Sequence, residues 1–230
     1  MSERVEEVFF VGSKSLYGDL MSHEAYLSLR DEEYENLDKI RPVNLDHIGA
    51  RSNPEGEGAL QWGVPVKTEF MPKVAITKGR KRALADFDKC YGMAMVSEKF
   101  RRVVESLEPG IHQFVPVDMR WGTGEKVEGQ FYWFVVCNSI DSVNAENTDA
   151  PFASGISNYT GKYARSYWRV DKEGGGVHRI VFDLNSIQGC HIWRDKYLVE
   201  GPYCSGIFKR ACEQAGVSGI GFGVGVNEVV

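Results

Sequence analysis

The chain has 230 residues, of which 43% are hydrophobic and 12% aromatic, and its formal net charge is −5. A chain of this length and composition can build a sizeable core, which excludes extended disorder for most of it. The acidic balance argues against binding to nucleic acid or to an anionic membrane, because such a surface repels phosphate groups, and it suits a basic protein partner.

No apolar run approaches the roughly 18–20 residues of a membrane span. The opening MSERVEEVFFVG is acidic with only a short apolar patch, unlike a signal peptide, so we expect a cytoplasmic protein. The cysteines are odd in number, widely spread and without a C-x-x-C pair, so neither a zinc site nor a disulfide framework is indicated. We expect all five to be reduced and mostly buried; they are Cys90, Cys137, Cys190, Cys204 and Cys212.

The N-terminal part of the chain is the less regular part. VFFV at 8–11 predicts a short strand, and EAYLSL at 24–29 predicts the start of a helix that continues into the acidic DEEYENLDKI. LQWGVPV at 60–66 is at best an edge strand, because it contains a proline. We therefore divide the chain into an irregular region at 1–83, packed on the rest, and a main domain at 84–230.

Strand patterns dominate the main domain. HQFVPVDMRW at 112–121 and QFYWFVVC at 130–137 predict a hairpin, and the second strand is apolar on both faces, as in the middle of a covered sheet. Residues 141–177 are polar and predict a long loop, whereas HRIVFDL at 178–184 and CHIWR at 190–194 predict strands. Together with the helices described next, these patterns predict an α+β fold with a mainly antiparallel sheet and helices packed on it.

Two segments have nearly the same sequence pattern, and each predicts a helix. SEKFRRVVE at 97–105 and SGIFKRACE at 205–213 both read Ser-x-x-Phe-basic-Arg-apolar-apolar-Glu, with the serine as N-cap. The shared pattern predicts that both helices dock on a sheet by the same face, with the basic pairs at its edge or in solvent. Those pairs are Arg101 and Arg102 in the first helix and Lys209 and Arg210 in the second. An internal duplication stays open, because the flanking strands do not visibly repeat.

The last segment, GIGFGVGV at 219–226, predicts a strand with one bare face. Alternate positions are glycine, which lets another backbone or a helix approach closely. The segment lacks the G-x-G-x-x-G register, so it does not predict a dinucleotide site. SGISNYTGKY at 154–163 departs from a P-loop in its spacing and has Tyr163 where a magnesium-binding Ser or Thr should stand.

No catalytic motif emerges, and we assign no catalytic, cofactor or metal residue. Cys190 and His191 are adjacent, but neighbours in a strand face opposite sides and do not readily meet over one substrate. Carboxylates that folding could pair are Asp118, Asp141, Asp183 and Asp195, and sequence does not show whether they meet. The negative result favours a protein that works by binding.

Several blocks in order resemble one known family. VSEKFRRVVESLEPGIHQFVPV (96–117), YWFVVCNSIDSV (132–143), FDLNSIQGCHIWR (182–194) and CSGIFKRACEQAGVSGIGF (204–222) resemble a bacterial immunity-protein family, the eleventh of the polymorphic-toxin immunity series. The resemblance covers roughly residues 84–226. It implies a cytoplasmic protein that binds and blocks a cognate secreted or contact-delivered toxin and is not an enzyme. From the motifs and the charge described above, we also expect no cofactor and no nucleic-acid or membrane partner.

Two acidic groups are the candidate partner-binding residues. If the toxin acts on nucleic acid or nucleotides, carboxylates could occupy its basic active site in place of phosphate. The groups lie in the first helix and in the polar loop; they are Asp31, Glu32, Glu33 and Glu35, and Asp141, Glu146 and Asp149. The plainer interpretation is that they are ordinary solvated charges.

Two other functional classes stay open. One is a small hydrolase that reverses a toxin's modification, with Cys190, His191 or Asp183 in a cleft. The other is a non-catalytic adaptor protein without a toxin partner. A large pocket that gathers the three side chains would favour the first, and purification without a co-eluting protein would favour the second.

Overall fold

A computed structural model gives the structure of the protein, and it describes residues 7–13, 26–44, 55–78, 84–90, 92–150, 152–156, 163–167, 179–198, 201–223 and 227–229. Within these residues the α-helices are α1 (Asp31–Leu37), α2 (Glu98–Leu107), α3 (Leu184–Ile187) and α4 (Gly206–Gln214). The strands are β1 (Val8–Ser13), β2 (Tyr26–Leu29), β3 (Val74–Lys78), β4 (Phe87–Cys90), β5 (Met93–Ser97), β6 (Gln113–Trp121), β7 (Phe131–Val135), β8 (Ser139–Ile140), β9 (Phe152–Ile156), β10 (Tyr163–Tyr167), β11 (Ile180–Phe182), β12 (Ile192–Asp195), β13 (Tyr203–Ser205), β14 (Ile220–Gly223) and β15 (Asn227–Val229).

The strands form two larger sheets and two separate pairs. The first sheet has the order β2-β3-β6-β7-β5-β4, the second has the order β14-β1-β13-β12-β8, and β9 pairs with β10 as β11 pairs with β15. Neighbouring strands are antiparallel except in the pairs β3–β6, β8–β12 and β11–β15. The predicted α+β fold with a mainly antiparallel sheet is confirmed.

Strand β7 lies in the middle of the first sheet, as its two apolar faces predict. Every residue from Phe131 to Val135 is buried. Phe131, Trp133 and Val135 belong to the core on one side of the sheet. Tyr132 and Phe134 belong to a second core, on the side where the helices lie. A strand covered on both faces needs this continuous apolar run, whereas a half-exposed strand needs only every second residue.

The two helices that have nearly the same sequence, α2 and α4, are capped in the same way. The Ser97 hydroxyl accepts a hydrogen bond from the Phe100 amide at 3.3 Å, and the Ser205 hydroxyl accepts one from the Phe208 amide at 3.2 Å. Each serine thereby satisfies one of the free amides at a helix start. The two phenylalanine rings are fully buried and meet edge to face, with centroids 6.0 Å apart. The prediction that both helices dock by the same face is confirmed.

The strands around these helices repeat as well. In the first sheet, β5 leads into α2 and then β6, with β7 between β5 and β6 and β4 on the far side of β5. In the second sheet, β13 leads into α4 and then β14, with β1 between β13 and β14 and β12 on the far side of β13. The neighbours in both sets of four strands are antiparallel. We call these the first unit (β4, β5, α2, β6, β7) and the second unit (β12, β13, α4, β14, β1).

Individual contacts repeat in the same register. The Ser97 amide donates to the Asp86 carbonyl at 2.9 Å, and the Ser205 amide donates to the His191 carbonyl at 3.0 Å. In both cases the serine hydroxyl also meets the side chain of that partner, Oδ1 of Asp86 at 2.7 Å and Nδ1 of His191 at 3.1 Å. The similar sequences of α2 and α4 are therefore part of a structural repeat that extends into the strands.

Cations on the two helices repeat the pattern once more. The Arg101 guanidinium lies 4.9 Å from the ring centre of Tyr132 in β7, and the Lys209 ammonium lies 5.1 Å from the ring centre of Phe9 in β1. Each contact places a basic side chain over an aromatic ring of the middle strand of its unit, which is a favourable arrangement. The basic pairs thus include one member held at the edge of the docked face, as predicted.

The two units share one core. Buried residues of α2, β5 and β7 form a single cluster with buried residues of α4, β12 and β13; they include Phe100, Val104, Phe134, Ile192, Cys204 and Phe208. A further cluster lies on the opposite face of the first sheet and includes Leu37 of α1. A third surrounds Trp193 and Tyr203 on the second sheet.

The predicted helix start at 24–29 is wrong, because Tyr26–Leu29 is strand β2, paired with β3. Leu27 and Leu29 both pack against the first core, with Ser28 between them, which is the period of a strand. Arg30 is still extended, with φ −72° and ψ 155°, and the helix begins only at Asp31.

The predicted edge strand at 60–66 is also wrong, because Gly56–Gln61 is a 3-10 helix. Gly63 then has φ +69°, and a Cβ there would lie 2.8 Å from the Asn138 carbonyl oxygen, so only glycine fits. Val66 forms an isolated β-bridge with Pro42 and is not part of a strand. Its amide donates a hydrogen bond to the Gln113 side chain at 2.9 Å.

The long loop predicted at 141–177 is corrected in part. Phe152–Ile156 and Tyr163–Tyr167 pair as antiparallel strands β9 and β10. These two strands are stabilised by the backbone hydrogen bonds that they form with each other, which do not depend on side-chain type. Their polar, glycine-containing sequence therefore did not indicate strands. Of the rejected P-loop pattern, residues 157–162 lie outside the described residues.

The glycine-rich segment forms strand β14 over Ile220–Gly223, and residues 224–226 lie outside the described part of the chain. The predicted close approach occurs at Gly219, which has φ +80° and where a Cβ would lie 2.3 Å from the Phe87 carbonyl oxygen. Only a residue without a side chain permits this backbone contact between β4 and the turn before β14.

Residues before position 84 join both sheets. β1 lies between β13 and β14, and β3 pairs with β6. The division into a region at 1–83 and a main domain at 84–230 stays a prediction.

Candidate interaction surface

The first acidic group projects from a short, well-anchored helix. Leu37 of α1 is buried in the first core, while Asp31, Glu32 and Glu35 are exposed. The acidic first turn suits the partial positive charge of a helix N-terminus. Glu33 is less exposed, and its carboxylate accepts a hydrogen bond from the Lys73 amide at 3.1 Å.

An aromatic side chain stands among these carboxylates. Tyr34 is 53% exposed, one of three large hydrophobic residues that the described surface exposes most, with Val43 and Ile111. Tyrosine surrounded by polar groups is a frequent composition for an interface anchor and its rim. The helix therefore offers one aromatic contact with several negative charges around it.

The second acidic group lies on a compact turn. Asp141, Glu146 and Asp149 are exposed, and the segment is held by buried Val143 and Ala150. Val143 and Ala150 belong to the third core cluster, whereas Leu37 beneath the first group belongs to the first cluster. The two acidic groups thus stand on different parts of the molecule, and each is a separate candidate contact.

A groove runs between the helices of the two units. Its volume is about 720 Å³. One wall comes from α2 and the other from α4; the lining residues are Glu98, Lys99, Arg102, Val103, Ser106, Ala211, Gln214 and Ala215. We call it the α2–α4 groove. It is a shallow depression that is open to solvent and not an enclosed cavity.

The charges of the groove lie on the α2 wall. Glu98 accepts a hydrogen bond from the Tyr132 hydroxyl at 2.7 Å, and Arg102 approaches the same carboxylate at 3.3 Å. The hydrogen bond from Tyr132 outweighs partial burial and lowers the pKa of Glu98, so the carboxylate is charged at neutral pH. Lys99 is tied to Asp86 at 3.0 Å, while the Arg102 side chain is 78% exposed.

The residues of the hydrolase hypothesis have structural contacts. Asp183 caps α3, accepting from the Asn185 amide at 2.9 Å. The His191 ring meets Ser205, which is fully buried as the N-cap of α4 and is closed to a substrate. Burial and the nearby Glu108 raise the pKa of the Cys190 thiol, so little thiolate forms at neutral pH. None of the three lines the α2–α4 groove.

Two other aspartates proposed for pairing have structural contacts of their own. Asp195 is 3% exposed, and its carboxylate accepts backbone amides of Ser142, Val143, Tyr197 and Leu198. Asp118 binds Arg120 at 2.7 Å, which balances its charge. Within the described residues, no three His, Cys, Asp or Glu side chains are grouped in a way that could hold a metal ion.

Sequence reasoning missed the α2–α4 groove. A comparison of the two similar helices gives the sequence signal that could have indicated it, because Ala211 occupies the position equivalent to Val103. The smaller residue leaves room, but only the structure shows that the two helices lie side by side. In the part of the chain that the structure describes, no helix is long and apolar enough to span a bilayer.

The comparison with family models decides the family. The model of an immunity protein family (Imm11) matches residues 21–227. The chain belongs to the Imm11 immunity protein family. The match includes most of the N-terminal region, the whole first unit and the second unit apart from β1. A search of curated proteins finds no match. Family membership implies an immunity protein against a toxin.

Proposed function

We propose that this Imm11 protein neutralises a cognate bacterial toxin by binding it non-covalently. The observation that carries the proposal is the family match over residues 21–227. Specific inhibition by binding needs an interface of about 1,000 Å² or more, with a few buried anchors and a polar rim. We place the exposed acidic residues of α1 and of the turn at 141–149 at the edge of this interface, where they face a basic surface of the toxin.

The test is co-expression with the product of the adjacent gene. We expect the protein to rescue growth and to co-purify with that product. Rescue with sustained turnover of a small compound would support the hydrolase alternative instead. A well-folded protein that rescues nothing and purifies alone would support the adaptor alternative.

The acidic group on α1 gives a sharper test. Changing Glu32, Glu33 and Glu35 together to lysine should slow association with the toxin and weaken its dependence on salt, because steering by opposite charges is lost. Stopped-flow association over a range of salt concentrations measures both effects.

A matched control changes the net charge equally elsewhere. Glu125, Glu128 and Glu213 are also exposed, and their joint replacement by lysine adds the same charge on other segments of the chain. Equal effects from the two triple variants would indicate a general charge effect. No effect from the α1 variant would remove α1 from the interface.

A further inference from the structure

A small cavity between the two units is lined by two cationic side chains. Lys89 comes from β4 of the first unit, and Arg194 comes from β12 of the second. The other described residues that line the cavity are apolar or glycine, so none of them is acidic. The cavity has a volume of about 20 Å³, which is room for a group little larger than a water molecule. We call it the inter-unit cavity.

The register of the first sheet directs Lys89 into the inter-unit cavity. Lys89 is paired with Ala94, and Ala94 is paired with Phe134, so all three share the face of the sheet on which the helices lie. Ala94 and Phe134 also line the cavity. Asp88 is paired with Met95 and therefore belongs to the opposite face, where its carboxylate accepts the Lys89 backbone amide at 2.7 Å. The neighbouring carboxylate in the sequence is thus directed away from the cavity.

The ammonium group of Lys89 lacks a counter-ion in the part of the chain that the structure describes. Its Nζ atom forms no ion pair and no hydrogen bond there. The residue is half-buried, and burial together with the nearby Arg194 lowers the pKa of Lys89 to about 8. A cation that is partly removed from water and faces a second cation is unfavourable unless an anion offsets its charge. The arrangement therefore favours an anion in the cavity.

Arg194 determines which kind of anion fits. Its Nη1 atom lies 3.7 Å from the position that a Cβ of Gly201 would take, next to Pro202 in the cavity wall. A guanidinium presents a planar fork of donors that matches the two oxygens of a carboxylate, whereas an ammonium is a point charge with three donors. A carboxyl group can accept hydrogen bonds from both cations at once. The small volume restricts the remainder of the anion to very few atoms.

We propose that the inter-unit cavity binds a small carboxylate anion, of the size of formate, between Lys89 and Arg194. Its oxygens accept hydrogen bonds from the ammonium and from the guanidinium. The apolar walls reduce the access of water, which strengthens the attraction between the charges. Because one cation belongs to each unit, the bound anion joins the two units and stabilises the folded chain. This site is independent of the binding of a toxin.

Thermal unfolding of the full chain in different sodium salts tests the site. The probe is formate, and the reference is gluconate at the same concentration and at neutral pH, because gluconate is too large to enter the cavity. We expect formate to raise the melting temperature of the wild-type protein by about 3 °C or more, because a ligand that binds the folded state alone stabilises it.

Two variants locate the effect. Lys89→Met removes the charge and keeps an unbranched side chain among apolar neighbours, so we expect it to fold and to lose the formate effect. Lys67→Met removes the same charge at an exposed position that does not line the cavity, and it should keep the full formate effect. Calorimetric titration of formate into the wild-type protein measures binding without any variant, and it should show saturable heat.

Several results would overturn the inference. Equal melting temperatures of the wild-type protein in formate and gluconate, or a titration without saturable heat, would show that no such anion binds. An equal effect of formate on K89M would place the binding elsewhere. A larger effect of chloride than of formate would contradict the assignment of a carboxyl group. None of these measurements uses a toxin, so their failure would leave the proposed function unaffected.

Discussion

At the level of single residues, Asp86 shows how one carboxylate organises its surroundings. Its oxygens accept hydrogen bonds from the hydroxyl of Ser97, the ammonium of Lys99 and both the amide and the hydroxyl of Ser218. Burial acts to raise the pKa of Asp86, but these hydrogen bonds together outweigh it and hold the pKa below the ordinary value of 3.8. The contacts join the start of α2 to the turn before β14.

Replacement of Asp86 by asparagine should therefore have a pH-dependent cost. The lowered pKa means that the charged form stabilises the fold fully above 3.8 and loses this effect as the pH falls through the lower folded value. We expect Asp86→Asn to reduce the free energy of unfolding by about 1–3 kcal/mol at neutral pH. Urea unfolding of both proteins measures the difference, which should shrink in acid. A difference that stays constant below pH 3.8 would contradict the assignment.

The cysteines give a second prediction at this scale. The four whose side chains are described are free thiols, with Cys204 and Cys212 buried. Burial raises the pKa of Cys137 to about 11 and that of Cys212 to about 12. Because the thiolate is the reactive form, these thiols should react slowly at neutral pH while the protein is folded.

Ellman's reagent measures this reactivity. A Cys90→Ser variant removes the one thiol whose side chain lies outside the described residues, so that only the four characterised thiols remain. We expect slow, incomplete reaction in buffer and rapid reaction of all four thiols in guanidinium chloride. Rapid reaction without denaturant would show that the thiols are exposed.

At the level of secondary-structure elements, local signals predicted the elements that depend on local interactions. Helices α2 and α4 follow from a serine cap and apolar residues at helical spacing, and β7 follows from a continuous apolar run. β2 was missed because it is stabilised by pairing with β3, distant in sequence, next to a strongly helical acidic segment. The charge of the candidate acidic residues was enough to predict that they lie on the surface. The α2–α4 groove could not be predicted in this way, because only the structure shows that α2 and α4 are neighbours.

The two serine caps should contribute similarly to stability. Ser97→Ala and Ser205→Ala each remove the hydroxyl that accepts an amide of the first helical turn, at 3.3 Å and 3.2 Å. Loss of an N-cap costs about 1–2 kcal/mol, so each variant should lower the free energy of unfolding by that amount.

Chemical denaturation of the two alanine variants, with Ser106→Ala as the comparison, tests this. Ser106 lies within α2, and its hydroxyl donates to the Val103 carbonyl without capping the helix. The Ser106 variant should be close to wild type. Equal losses in all three variants would show that capping is not the cause.

At the level of the whole molecule, a buried carboxylate joins the two units. Glu108, 5% exposed, follows α2 of the first unit and accepts the His191 and Ile192 amides of the second, at 3.0 and 3.1 Å. It also accepts the Asn138 side-chain amide, and it contacts His112 Nε2 at 2.8 Å. Since the His112 Nδ1 accepts the Cys137 amide, the Nε2 atom carries the proton and donates it to the carboxylate.

Substitution of this residue should destabilise the whole fold. Glu108→Gln replaces an acceptor oxygen by a donor and leaves buried donors unsatisfied, which should cost about 2–3 kcal/mol. The control is Glu105→Gln within α2, whose carboxylate accepts a solvent-exposed hydrogen bond from the Gly110 amide. Because the units share one core cluster, fluorescence and circular dichroism should report a single urea transition for both variants. Two separate transitions for E108Q would show that the units fold independently.

The position of β1 has a consequence for the order in which the protein is assembled. β1 is synthesised long before its neighbours in the sheet, β13 and β14, because most of the other strands lie between them in the sequence. The strands of the first unit are contiguous in sequence, whereas the second unit must bring together segments that are far apart in the sequence. Closure of such distant contacts is slow. Until β13 and β14 have been translated, β1 therefore lacks its partner strands, and the second unit can form only after they emerge.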